Sequence, residues 1–508
     1  MMDRLPPEII LDNILPLLTL KDILHLSSTS KSLHFLISDQ IVWKRRLLDD
    51  YNSYLALRVL TQSDNISLDW QDIYRRTLTP QVYVWGVATN GRLGIDFNDE
   101  RIKRGNCVPQ PIKIDTRSNL VQLVAGGWSF HGLDRNGDIT FWGQYNGDSF
   151  IYGPRDYRDS GARVDKPTKL RLPFKTIEMS AGRAHIMLLS DDGHVYQSTS
   201  CALSHRIIHP LLVNDEIEQI SAGWTHSAIF TKKGNIMVYW PLDYADSETY
   251  RANHENGPRQ RVERGVEFID THVFDFTPPS ITLPSIPNET ISKIASAEGA
   301  ILALTQNGRL YRIDLHGRRG LRGEEAVRNI ADLIANGEKR WIELTSFSPQ
   351  NLQKLLPEGA ATPVLSHITS TFRQFTLYAP SVAHSRVFTG DATSNNSKPQ
   401  LIDLDNVIDV VRGDYHSIAL TRSGEVRSFG SQNGGALGVA SLDYTRNGTV
   451  TTPLPVQFGG NKRKFAFTIA AAGWHSAALV IDLEGDDGDP PETVEETRWC
   501  ALTIYCSD

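Results

Sequence analysis

The stretch ISAGWTHSAIFTKKGNIMVYW, Ile220 to Trp240, decides how the rest of this 508-residue chain is read. Ser221, Ala222 and Gly223 open it, the polar pair His226-Ser227 follows, and an alternating apolar run leads to a turn at Gly234 and a second short apolar run. Alternation with period two marks half-buried strands, and a turn glycine between two such runs makes a hairpin. Gly223 and Gly234 lie 11 residues apart, the interval that also separates Gly126 from Gly137, Gly182 from Gly193 and Gly413 from Gly424. A recurring interval is the mark of a repeat architecture.

Three further copies are worn: IASAEGAILALTQNGRLYRI from Ile294 to Ile313, ITSTFRQFTLY from Ile368 to Tyr378, and IAAAGWHSAALV from Ile469 to Val480. First halves of the phrase therefore number seven. Second halves also number seven, from VYVWG at Val82 to Gly86 through ITFWG at Ile139 to Gly143 to EVRSFG at Glu425 to Gly430. The run near Val82 has no first half before it, and the phrase near Ile469 has no second half after it. Joining these two orphans closes a ring and removes exposed strand edges. Small residues at the start of each phrase fit a place where blades converge, and the turn glycines at 137, 193, 234, 308 and 424 supply positive φ.

These phrases resemble the regulator-of-chromosome-condensation repeat over Gln81 to Asp482, although the copies at Ile294 and Ile368 lack that family's glycine and histidine. The resemblance implies a mainly β protein built on a seven-bladed propeller, closed by pairing its first and last strands. His185, His226, His416 and His475 share one position of the repeat, which invites a metal or catalytic reading. Quasi-symmetry places them on different blades, so their expected role is to hydrogen-bond buried strand groups.

The first eighty residues follow another grammar. Pro7 and Glu8 suit a helix start, Ile10, Leu11, Ile14, Leu15 and Leu18 recur at helical spacing, and Pro16 should weaken the last turn. Thr19 and Asp22 form a candidate capping box for a second helix with Leu20, Ile23, Leu24 and Leu26, and a third helix is expected near Lys31 to Ile37. Three helices this short cannot bury their apolar surface among themselves, which implies a partner. Leu5, Pro6, Pro7, Glu8, Ile14, Leu15, Leu18, Ile23, Leu26 and Trp43 follow an order that resembles the F-box over about residues 4 to 48. That resemblance implies a three-helix segment whose matching residues dock on a Skp-type adaptor and, through it, a cullin-RING ubiquitin ligase. The plainer alternative is an N-terminal cap packed on the propeller. Trp70, Ile73 and Tyr74, at i, i+3 and i+4, are expected to anchor a connecting helix to a blade.

The formal net charge is -7, but Ile481 to Asp508 carries nine acidic residues against Arg498 alone, leaving the body near neutral. A near-neutral body gives no electrostatic reason to expect nucleic acid or an anionic membrane as a partner, and the end reads as a solvated acidic tail. Cys107, Cys201, Cys500 and Cys506 form no C-x-x-C pair, so neither a disulfide framework nor zinc is expected, and a reducing compartment is favoured. The start lacks a signal sequence and no apolar run is long enough to span a bilayer. Cytoplasm, nucleus or both are the expected locations, with no cofactor and no metal.

The expected organisation is an F-box at 1-48, a helical linker at 49-80, a propeller at 81-482 and an acidic tail at 483-508. Extra length between repeats enters at one equivalent place, so symmetry gathers it towards one region of the disc. Two insertions carry basic clusters, Arg101, Lys103, Arg104 and Arg318, Arg319, Arg322, which are candidates for binding an acidic or phosphorylated target. Trp128, Trp224 and Trp474 are glycine-flanked and are expected in the core rather than as anchors. P-loop, H-E-x-x-H and G-x-S-x-G motifs are absent. The pairing of the two modules resembles the fungal SCF-associated factors. It implies a non-catalytic ligase subunit whose F-box holds the adaptor and whose propeller holds an unknown protein substrate. The alternative is a guanine-nucleotide exchange factor for a small GTPase, since the founding propeller family includes one.

Overall fold

The computed structural model describes residues 5–51, 69–146, 163–241, 260–263, 266–380, 386–446, 448–460 and 462–484. Residues 52–68 of the expected linker and 485–508 of the acidic tail, with Cys500 and Cys506, lie outside the described residues. The chain divides into two compact units, Met1–Thr79 with Gly460–Phe465 and Ile481–Asp508, and Pro80–Gly459 with Ala466–Val480.

The first unit is helical at its start. Helix α1, Pro7–Ile9, widens into a π turn over Ile10–Ile14 and then tightens into a 3-10 turn over Leu15–Leu17. Pro16 lacks the N–H that an α-helix would need there, which accounts for the change of winding. Helix α2, Leu20–Ser27, begins at the expected capping box, with the Asp22 N–H donating to Thr19 Oγ1 at 3.2 Å and the Thr19 N–H to Asp22 Oδ2 at 3.4 Å. Helix α3, Lys31–Ile37, is capped by Ser30. A fourth helix, α4, Gln40–Tyr51, goes beyond the three expected and runs past residue 48. Helix α5, Trp70–Leu78, packs on α4, with the Trp43 and Tyr74 rings 5.4 Å apart. Trp70, Ile73 and Tyr74 are all buried.

The second unit contains seven β-sheets among the described residues. Blade 1 joins the chain ends: strand Gln81–Val87 pairs antiparallel with His475–Asp482 in the register Gln81↔Val480 to Gly86↔His475, and on its other edge with Cys107–Ile114. Its innermost strand is Lys464–Ala472. Blades 2 to 7 follow at 120–171, 176–207, 217–282, 291–343, 367–402 and 407–455. The ring is thus closed by the first and last strands of the propeller, as the two orphan half-repeats require. Apolar residues of adjacent blades interlock: Phe141 and Tyr145 of blade 2 share a cluster with Met179, Ile186 and Leu188 of blade 3. Between blades 4 and 5 the core is extended by Val327 and Ile330 of the insertion helix Gly323–Ala335.

Innermost strands are stitched by side chains that bond the next blade's backbone. Gln219 both donates to the Ile294 carbonyl and accepts from its N–H, each at 2.9 Å, while Ser180 Oγ accepts from the Ala222 N–H at 2.9 Å. A register shift recurs at the same place in blades 2, 3, 4, 5 and 7, as between Thr176 and Glu178 or Ile217 and Gln219. Such bulges redirect the following side chain. The blade 4 insertion adds strands to other blades: Val266–Asp270 pairs in parallel with blade 2, and His272–Phe276 in parallel with the outer strand of blade 3.

In blades 1, 2, 5, 6 and 7 the loop joining strands one and two meets the end of strand three. Gln144 N–H donates to the Trp128 carbonyl at 3.0 Å, Leu315 to Gly299 at 2.8 Å and Ser431 to Tyr415 at 2.9 Å. The insertions between strands three and four therefore emerge on the face that carries the loops around the central shaft.

Candidate docking surfaces

On the helical unit, Leu5, Pro6, Pro7 and Glu8 are exposed, and Ile14, Leu18 and Leu26 are partly buried. Leu15, Ile23 and Trp43 are only 1–3% exposed. Trp43 donates its indole N–H to the Ile37 carbonyl at 2.8 Å. These three side chains thus build the interior of the unit. Exposed apolar residues that spacing did not single out stand beside the expected ones: Leu17 at 84% and Phe35 at 81% exposure, with Ile9 and Ile41 above 40%. Five of the 13 exposed large apolar side chains among the described residues lie between Leu5 and Ile41, so apolar surface is concentrated on this small segment.

On the propeller the two basic clusters are not brought together. One lies on the blade 1 insertion and the other on that of blade 5, with blades 6 and 7 intervening on one side and three blades on the other. Arg101 is clamped by Asp99, with N–O distances of 2.8 and 2.6 Å, and holds that carboxyl down at about 2. Lys103 donates to the Glu100 carbonyl at 3.1 Å. Arg104, Arg318, Arg319 and Arg322 are exposed, the last three just before the helix Gly323–Ala335.

The shaft loops form an aromatic collar. Arg183 sits 4.7 Å from the Trp128 ring and 3.7 Å from that of Trp224, and its guanidinium reaches Asp414 at 3.5 Å. Trp224 stacks on Phe372 at 4.3 Å, and Tyr415 meets Trp474 at 4.9 Å. Trp128 and Trp224 are buried, in line with a packing role, whereas Trp474 is half-buried and Tyr415 exposed. Burial pushes Arg92, close to the same carboxylate, down to about 9.

His185, His226, His416 and His475 are fully enclosed. His416 Nε2 pairs with Ser476 Oγ of blade 1 at 2.8 Å, and His475 Nε2 donates to the Ser129 carbonyl of blade 2 at 3.3 Å. Burial holds His185, His226 and His416 down at about 3, so they are neutral imidazoles. His416 and His475 thus tie neighbouring blades as expected, whereas both ring nitrogens of His185 and of His226 are buried without a hydrogen bond among the described residues, so these two act by packing rather than by the expected bonding. His131, which the repeat pattern did not pick out, is equally enclosed, against Phe141 and Tyr145, and is held at about 3.

The chain thus joins a helical module with surplus apolar surface to a closed propeller. Comparison with known families gives the modules their identity: residues 2–49 match the F-box-like family, and residues 81–131 and 407–435 match the regulator of chromosome condensation (RCC1) repeat. The chain thus carries an F-box-like module ahead of an RCC1-type seven-bladed propeller. The chain is similar to F-box protein pof9 of Schizosaccharomyces pombe, at 22% identity over 91% of this chain and 86% of that protein. It is also similar to SCF-associated factor 1 of Saccharomyces cerevisiae, at 21% identity over 60% of this chain and 42% of that one. The solved structure of Prp20p from Saccharomyces cerevisiae shares the fold, with a TM-score of 0.52 and 13% identity over 86% of this chain and 98% of that one.

Proposed function

We propose that this chain is the substrate-recognition subunit of an SCF-type cullin-RING ubiquitin ligase. The F-box-like module docks a Skp-type adaptor and the propeller binds the protein to be modified, while catalysis comes from other subunits. The observation that carries this reading is the concentration of exposed Leu5, Ile9, Leu17, Phe35 and Ile41 on a module that matches the F-box-like family. Similarity to pof9 and to SCF-associated factor 1 supports it. Leu5, Pro6, Pro7, Glu8, Ile14, Leu18 and Leu26 supply or border the contact, and Leu15, Ile23 and Trp43 hold it in shape. On the target side the exposed Arg104, Arg318, Arg319 and Arg322 remain candidates, with Arg101 and Lys103 already engaged within their own loop. The site of action is the cytoplasm, the nucleus or both.

Capture of a purified Skp-type adaptor by the full chain tests the docking assignment. Leu5→Asp with Leu17→Asp removes two exposed leucines, each contributing about 1.5–3 kcal/mol when covered, so capture should weaken on the order of a hundredfold or more while the melting temperature holds. Undiminished capture refutes the assignment. Exchange-factor activity has only the propeller fold in its favour. Stimulated nucleotide release from a purified small GTPase would establish it in place of the ligase reading.

A further inference from the structure

Between blades 1 and 2 runs a cleft of about 320 Å³, lined by the blade 1 insertion loop (Gly94, Asp99, Arg101), the end of its outer strand and the connection after it (Lys113, Arg117) and the outer strand of blade 2 (Lys166, Lys169). Its volume is at the low end for a ligand pocket, enough for one or two side chains of an extended segment and too small for a folded domain. Five cations line it, against the carboxylates of Asp96, Asp99, Asp115 and Glu267.

Pairing within the cleft decides which charges are available. The Arg101 fork is occupied by Asp99, Arg117 lies 4.0 Å from Asp115, and Lys169 reaches Asp134 at 3.4 Å. Lys113 and Lys166 are exposed on separate blades, and among the described residues neither has a carboxylate within 4.0 Å. Planar guanidinium forks are the groups suited to bidentate capture of a phosphate, and both forks here already face their own aspartates. What remains is a pair of point charges on separate walls. Two separate carboxylates match that arrangement better than a single phosphate does.

We propose that this cleft binds an unmodified acidic segment of the target protein, with Lys113 and Lys166 each taking one carboxylate. The inference rests on the reading of the propeller as the target-binding module and moves the recognition site from the tip of the blade 1 insertion to the groove at its base.

Fluorescence anisotropy of the full chain with a labelled octaglutamate peptide tests it, with octaglutamine and a singly phosphorylated serine peptide of the same length alongside. Wild type should bind octaglutamate and not octaglutamine. Lys113→Glu with Lys166→Glu should weaken octaglutamate at least tenfold, and Lys398→Glu, an exposed lysine on blade 6, should leave it unchanged. The neutral pair Lys113→Gln with Lys166→Gln gives the same reading should the charge reversal lower the melting temperature. Unchanged binding in both double variants, an equal loss in Lys398→Glu, or tenfold tighter binding of the phosphopeptide overturns the proposal. Adaptor capture by the same variants separates the two levels: a wild type that ignores octaglutamate yet captures the adaptor removes the cleft and leaves the ligase reading standing.

Discussion

Lowering the pH should unfold the propeller above the range in which ordinary carboxylates titrate, because its blades enclose histidines away from water. His131, His185, His226 and His416 are each held at about 3, and His475 is pushed well below its ordinary value, all by burial. A histidine whose native value lies below its unfolded value near 6.5 contributes stability that is complete above that value and is lost as pH falls through it. Each such group costs about 1.4 kcal/mol per pH unit below 6.5, so five together cost about 7 kcal/mol per unit. Asp409 works in the opposite direction. Burial raises it to about 6, so protonation returns roughly 1.4 kcal/mol by pH 5, a small offset to the histidine loss of about 10 kcal/mol. Since domains of this kind hold about 5–15 kcal/mol, the midpoint should fall near pH 5. Urea titrations followed by tryptophan fluorescence between pH 6.5 and 5 measure the slope directly. Replacing His226 and His475 by Gln should cut it from about 7 to about 4 kcal/mol per unit, whatever the substitutions do to stability at pH 7. A wild-type slope of one histidine or less, about 1.4 kcal/mol per unit, would refute the reasoning.

Gly143 ends a third strand at φ +99°, and a Cβ there would lie 2.4 Å from the Trp128 carbonyl, so Gly143→Ala should lower unfolding free energy by about 3 kcal/mol or more. Gly193, at φ +83° but with nothing within 4 Å, provides the contrast: Gly193→Ala should cost only the backbone strain of about 1–2 kcal/mol in the same urea titration. Asp414→Asn removes the carboxylate that pairs with Arg183 inside the collar and should destabilise by about 3 kcal/mol, whereas Asp115→Asn, 81% exposed, should stay within about 0.5 kcal/mol.

The closed ring was legible because the glycine interval and the orphan half-repeats are local features that survive even where a copy is worn. Blade 6 keeps its strands although Phe372 and Arg373 stand where other copies carry glycine and tryptophan, since alternation alone pairs Ile368 with Leu377 and Ser370 with Phe375. The strands added by the blade 4 insertion were not legible. They pair in parallel with residues about 70 to 100 positions earlier, His272 with Leu203 and Phe268 with Lys169, and nothing in a strand's own sequence encodes so distant an edge. Helical spacing found the apolar stripe of the N-terminal module, yet it cannot say which half of a stripe turns inward. Hence Leu15 and Ile23 proved buried while Leu17, one turn-position away and beside Pro16, is almost fully exposed.

The two proposed docking surfaces differ in physical character, and that difference is testable without knowing the target. Apolar burial is insensitive to ionic strength in the submolar range, while attraction between exposed charges decays over about 10 Å at 0.1 M salt and over about 3 Å at 1 M. The proposed adaptor-facing surface is built around the exposed Leu5, Leu17 and Phe35, and the proposed acidic-segment cleft around Lys113 and Lys166. Raising salt from about 0.05 M to about 0.5 M should therefore leave adaptor capture within about twofold and weaken octaglutamate binding about tenfold or more. If both fall together, charge rather than apolar contact holds the adaptor, and the exposed leucines are not what the F-box-like module presents.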